Sequence, residues 1–90
     1  TTPKVIQGAK HVYHQYTVRV SDRDNMIKKL SQAGVGYGIY YANPVHRLPS
    51  FNCEIELPET EIAAMEVLSL PVHPSLSDKE IETVVKAINK

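Results

Sequence analysis

The sequence predicts an α/β (α+β) sandwich of two layers, a small sheet of about three strands with helices packed on one face. Three observations predict it. His11–Val20, HVYHQYTVRV, is a β-branched and aromatic run of strand type. Asp22–Ala33 and Ser77–Asn89 repeat apolar residues at helical spacing behind helix-start signals. The patterns then interleave as strand, helix, strand, loop, helix, short strand, helix.

In the first strand, successive side chains alternate faces. Val12, His14, Tyr16, Val18 and Val20 form the expected core face. His11, Tyr13, Gln15, Thr17 and Arg19 form the other, mixed polar and aromatic and suited to water or a neighbouring domain. Thr1–Lys10 is expected to be extended or loose, with Gly8 as a break.

Ser21 fits an N-cap, its hydroxyl accepting from a first-turn amide. Asp22 and Asp24 suit the positive end of the helix that follows. Met26, Ile27, Leu30 and Ala33 line its inner face, and Gly34 stops it by taking the left-handed conformation.

Val35–Tyr41 reads as the second strand. Gly36 and Gly38 weaken it but let another group approach its backbone closely. Ala42–Leu57 reads as loop, because Pro44 and Pro49 rule out a regular helix; Ile55 and Leu57 are its expected anchors. Pro58 suits the first turn of a second helix. Ile62, Ala63 and Met65 form its expected apolar side, leading on to Leu68. Leu70–Pro74 is extended, since residues before proline avoid the helical region, and predicts a short third strand or edge segment. Ser77 with Glu80 is a capping box. The stripe Ile81, Val84, Val85, Ile88 opposes the polar Lys79, Glu82 and Lys86.

Ninety residues make one domain, 1–90. Lys+Arg and Asp+Glu are both 10, so charge gives no reason to expect nucleic acid or an anionic membrane as partner. No apolar run approaches bilayer length and no signal-peptide pattern is present. Cys53 is the sole cysteine, so no internal disulfide is possible, and a cytoplasmic setting is expected. The opening TTPKVIQGAKHVYHQY lacks an initiating Met and reads as a piece of a longer protein. A processed terminus or tag scar gives the same text.

Among possible sites, a metal centre is not expected. His11 and His14 point to opposite faces of the predicted strand, and His46 and His73 are isolated. His14 is expected as a hydrogen-bonded core histidine, with catalysis as the sharper alternative. Arg19 is expected to meet a nearby carboxylate, in the protein or in a substrate. Cys53 has no adjacent histidine to activate it. Gly34, Gly36 and Gly38 do not make a phosphate loop, because Ile39-Tyr40-Tyr41 follows.

The stretch Gly34–Phe51 stands apart. It crowds Tyr40, Tyr41, His46 and Arg47 onto an irregular segment, as a binding loop does. It would present two phenols, an imidazole and a guanidinium to an anionic or sugar-like ligand. A solvated surface loop accounts for the same residues.

Three motifs, in order, carry a resemblance: YHQY, then GI-Y-Y-x-x-P-x-H, then E-V-L-S-L-P-V-H-P-x-L-S-D. Together, over about residues 3–89, the chain resembles the C-terminal small domain of the DegT/DnrJ/EryC1/StrS family of pyridoxal-phosphate sugar aminotransferases. The resemblance implies a fold type I enzyme with a large cofactor-binding domain and a homodimeric state. It implies amino transfer, usually from glutamate, to a keto group on a nucleotide-linked sugar. By the same resemblance Tyr40, Tyr41 and His46 match the family's aromatic pair and following histidine. They would contact sugar or nucleotide phosphate without transferring the proton. Where the family often opens this loop with His-Tyr-Pro, this chain has Tyr40-Tyr41-Ala42. No stretch resembles the large domain, and no lysine has the context of the cofactor lysine. The expectation is therefore a fragment inactive alone, with pyridoxal 5'-phosphate held by the parent and none by this chain. The rival reading is a free-standing α/β ligand-binding or regulatory module. It would dimerise through its open sheet face, using Tyr13, Gln15, Thr17 and Arg19.

Overall fold

A computed structural model describes all residues, 1–90. The strand β1 (Tyr16–Arg19) leads into helix α1 (Arg23–Gln32). A long loop with one 3-10 turn at Val45–Arg47 then reaches helix α2 (Pro58–Glu66). This helix runs directly into strand β2 (Val67–Leu70), and helix α3 (Asp78–Asn89) closes the chain. No helix is long and apolar enough to cross a membrane.

β1 and β2 pair antiparallel, with Val18 opposite Leu68 and Thr17 opposite Ser69. Alternation puts Tyr16, Val18, Leu68 and Leu70 on one face. There they meet Leu30 of α1, Val35 after it and Ala87 of α3. Leu30 and Leu68 are both 0% exposed and form the centre of a small core. On the opposite face the hydroxyls of Thr17 and Ser69 bond each other at 2.8 Å. Arg19 pairs there with Glu66 at 2.8 Å, the nearby carboxylate expected for it. Arg19 and Tyr13 both remain exposed, uncovered by the chain's own helices.

Several expectations are corrected. The first strand is four residues long, beginning at Tyr16 and not at His11. Tyr13 has φ 48°, in the left-handed region, and its N–H donates to His11 Nδ1 at 2.8 Å. The resulting turn stacks His11 on Tyr13 and Tyr13 on Tyr16, with ring centroids 4.2 and 5.8 Å apart. Val12 is consequently 83% exposed, and His14 is exposed and not a core histidine.

The second strand is reduced to one bridge, Gly38 with Ser69, whose backbone groups exchange bonds of 3.0 and 2.7 Å. Val35 and Ile39 still pack inward. Glycine at 36 and 38 leaves no side chains to hold a longer ladder. The sheet therefore has two strands, not three. The C-terminal strand begins at Val67 and ends at Leu70, where the sequence reading began it.

Helix ends follow local chemistry. Gly34 takes φ 70° after α1, as expected. The N-cap of α1 is Asp22, not Ser21; its carboxylate accepts from the Asn25 N–H at 3.0 Å. Ser77 and Glu80 form the expected capping box. In α3, Val84 and Ile88 pack on the core, while Ile81 and Val85 stay exposed along an apolar groove of about 460 Å³ with Tyr16, Pro71 and Leu76. The buried residue of α2 is Ala64; Ile62 and Met65 are exposed.

Candidate functional site

The irregular stretch after Gly38 builds the site. Tyr40 folds back so that its ring lies over the Gly38 backbone, the close approach that glycine permits. Nothing comparable approaches Gly36. Tyr40 and Tyr41 meet edge to face, with ring centroids 5.5 Å apart, and both are exposed. Stacking of this kind holds two aromatic faces in a fixed relation.

Two clefts meet at Tyr40. One, of about 380 Å³, is lined by His14, Gln15, Tyr37 and Ser69. The other, of about 420 Å³, lies between the loop and α2, with Tyr41, Asn43 and Val45 facing Glu59, Thr60 and Ala63. No lysine or arginine lines either cleft. The walls offer phenols, a carboxylate, a hydroxyl and amides, groups that bind a neutral polyhydroxyl ligand more readily than a phosphate.

His46 lies elsewhere. Its side chain is only 9% exposed, and Nε2 sits 3.1 Å from Glu61 Oε1. An ionised carboxylate only accepts, so Nε2 donates in this contact. The same Glu61 oxygen accepts from Arg47 Nε at 3.2 Å and Nη2 at 2.8 Å. The Arg47 guanidinium first, and His46 second, hold the Glu61 carboxyl below the ordinary carboxylate range. Tyr40 and Tyr41 thus stand together at the clefts, while His46 and Arg47 are gathered onto α2. Ile55 and Leu57, the expected anchors of the loop, are exposed.

Sequence reasoning missed two residues. Glu61 is one: its partners lie fifteen and fourteen residues upstream, beyond any local pattern. Arg23 is the other. It reaches from α1 to the carbonyls of Ala64 and Val67, where α2 turns into β2. A cation at the C-terminal end of a helix is favourable there, and the carbonyls would otherwise lack partners.

The profile of the DegT/DnrJ/EryC1/StrS aminotransferase family matches residues 1–89, and the chain belongs to that family. It is 42% identical over 91 residues to a protein of Geobacillus stearothermophilus named "Pleiotropic regulatory protein", covering 97% of this chain and 24% of that protein. It is 35% identical over 88 residues to the UDP-2-acetamido-2-deoxy-3-oxo-D-glucuronate aminotransferase of Pseudomonas aeruginosa, covering 97% and 24%. Among solved structures, S. venezuelae DesV, in complex with a ketimine intermediate, superposes with a TM-score of 0.90 at 32% identity. The match covers 97% of this chain and 24% of DesV. A family aminotransferase from Brucella abortus superposes with a TM-score of 0.89 at 27% identity, over 98% and 25%. The chain spans about a quarter of the length of these relatives.

Proposed function

We propose that the chain is the C-terminal small domain of a pyridoxal-phosphate aminotransferase and forms the substrate wall for a nucleotide-linked sugar. Glutamate is the proposed amino donor, and the parent works in the cytoplasm as a homodimer, both on the family resemblance. The observation that carries the reading is the exposed Tyr40–Tyr41 pair at the junction of two clefts without a lysine.

The cofactor supplies the electron sink for amino transfer when an enzyme of this family binds it. This chain's residues do not fit it, because neither cleft offers a lysine to bond its aldehyde. No chemical step is assigned to this chain. Its residues bind and orient. Tyr41 offers an aromatic face to the sugar ring and Tyr40 a phenol to its hydroxyls. His46 is assigned a contact with the sugar or nucleotide phosphate on the family resemblance alone. The exposed groove along Ile81 and Val85 supports packing against a larger domain.

The free-standing module is not favoured. The relative with a regulatory name holds this segment as 24% of a longer chain, as the sugar aminotransferases do. The test is to assay the longer gene product that holds this segment with nucleotide-linked keto sugars and glutamate. Amino transfer is expected, and Tyr41→Ala should raise the sugar KM about tenfold while leaving the donor KM unchanged. Failure with every nucleotide sugar would contradict the reading.

A further inference from the structure

Residues 42–56 form a long loop whose internal bonds are all local. Arg47 donates to Pro44, Leu48 to Val45, Phe51 and Asn52 to Leu48, and Cys53 to His46. Every hydrogen bond from this segment to the rest of the molecule ends on one atom, Glu61 Oε1. Of the apolar side chains in the segment, Val45, Phe51 and Ile55 are exposed, and only Pro44 and Leu48 are half-buried. Glu61 in turn is fixed, because it belongs to the first turn of α2 and its N–H donates to Leu57 at 2.9 Å.

We infer that Glu61 is a positioning residue that sets the width of the cleft between the Tyr40–Tyr41 loop and α2. The cleft has Tyr41, Asn43, Pro44 and Val45 on one wall and Glu59, Thr60 and Ala63 on the other. Glu61 lies beside the second wall and draws down the residues that directly follow the first. One carboxylate oxygen takes three N–H donors, two of them from a guanidinium, a charge-assisted arrangement that fixes direction as well as distance. Without it, beyond the Gly38–Ser69 bridge that holds the Tyr40 end, the loop has only its own turns and the half-buried Pro44 and Leu48 to keep Tyr41 in register with α2. Glu61 does not itself line the cleft. It acts through His46 and Arg47 on where Tyr41 stands.

Two readouts test this, and the second rests on the proposed function. The first needs no substrate. Trypsin cleavage after Arg47 is timed in this chain against cleavage after Arg19, Arg23 and Lys86. Glu61→Ala should speed cleavage after Arg47 about tenfold and leave the other sites within about twofold, as local opening does. Glu61→Asp, which keeps the charge, should restore part of the protection. Equal rates after Arg47 with and without Glu61 would overturn the inference. So would acceleration at all sites together, which marks loss of the whole fold. In the longer enzyme, Glu61→Ala should raise the nucleotide-sugar KM about tenfold with kcat within about twofold. A matching loss of kcat with KM unchanged would overturn it. An inactive wild-type enzyme counts against the proposed function alone, because the protease readout stands without it.

Discussion

The ring of Tyr40 lies over the backbone of Gly38, so that a methyl group at position 38 would stand 2.7 Å from the ring's Cε2, Cζ and Oη. The two residues are thus one unit. Gly38 holds the sheet bridge to Ser69 with its backbone and leaves its open face to the aromatic ring. Gly38→Ala is expected to keep the bridge, since the far end of the ring is free to swing away. Proton NMR of the tyrosine rings checks this. Moved Tyr40 signals in a chain that still unfolds cooperatively are expected, and unmoved signals would contradict the contact.

Arg23 joins three elements from one side chain. Its guanidinium bonds the carbonyls of Ala64 and Val67, on either side of the Glu66 carbonyl that the Val20 N–H bonds. Arg23→Ala is expected to cost about 2 kcal/mol, the range for hydrogen bonds to a charged group. Arg23→Lys should recover less than half, because an ammonium lacks the planar fork that spans two carbonyls. Urea unfolding followed by circular dichroism measures both.

Acid should loosen the chain in a defined direction. Arg47 and His46 lower the Glu61 carboxyl, and the Ser77 backbone N–H and hydroxyl lower that of Glu80. A lowered folded-state value contributes stability that is present above the ordinary glutamate value of 4.5 and lost as pH falls through the folded value. The melting temperature is expected to hold from neutral pH to about 5 and then fall. Glu61→Gln and Glu80→Gln should each flatten that fall, as thermal melts across pH would show.

The core is small enough for one residue to decide it. Leu68 is 0% exposed, centred between β1 and α1. Leu68→Ala is expected to cost about 2–5 kcal/mol. That is a large share of the stability of a ninety-residue domain, so loss of a cooperative thermal transition is the expected result.

What the sequence made legible follows from the range of each signal. The Ser77–Glu80 capping box, Pro58 at a helix start and the Gly34 stop each act over a few residues, and each stands as read. The alternation of Tyr16, Val18 and Val20 against Thr17 and Arg19 also holds, because the paired strand keeps it. Failures came where particular contacts, local at Tyr13 and between strands at Val67, overrode intrinsic preference. Tyr13 leaves the strand for a stack with His11 and Tyr16, although Val12 and Tyr13 favour strand. Val67 ends a helix and starts a strand with no glycine or proline to mark the change. Of the candidate site, the Tyr40–Tyr41 pair was legible in the crowding of aromatics on a proline-bearing loop. The capture of His46 by Glu61 was not, since it depends on α2 folding back across the loop.

The central claim is that this chain supplies a substrate wall and no anchor for the coenzyme. The direct measurement is to mix it with stoichiometric pyridoxal phosphate, reduce with borohydride and map the product by mass spectrometry, alongside a visible absorption scan. The expected result is no stoichiometric absorption band and no single labelled lysine. One lysine carrying the coenzyme in near-full yield would contradict it.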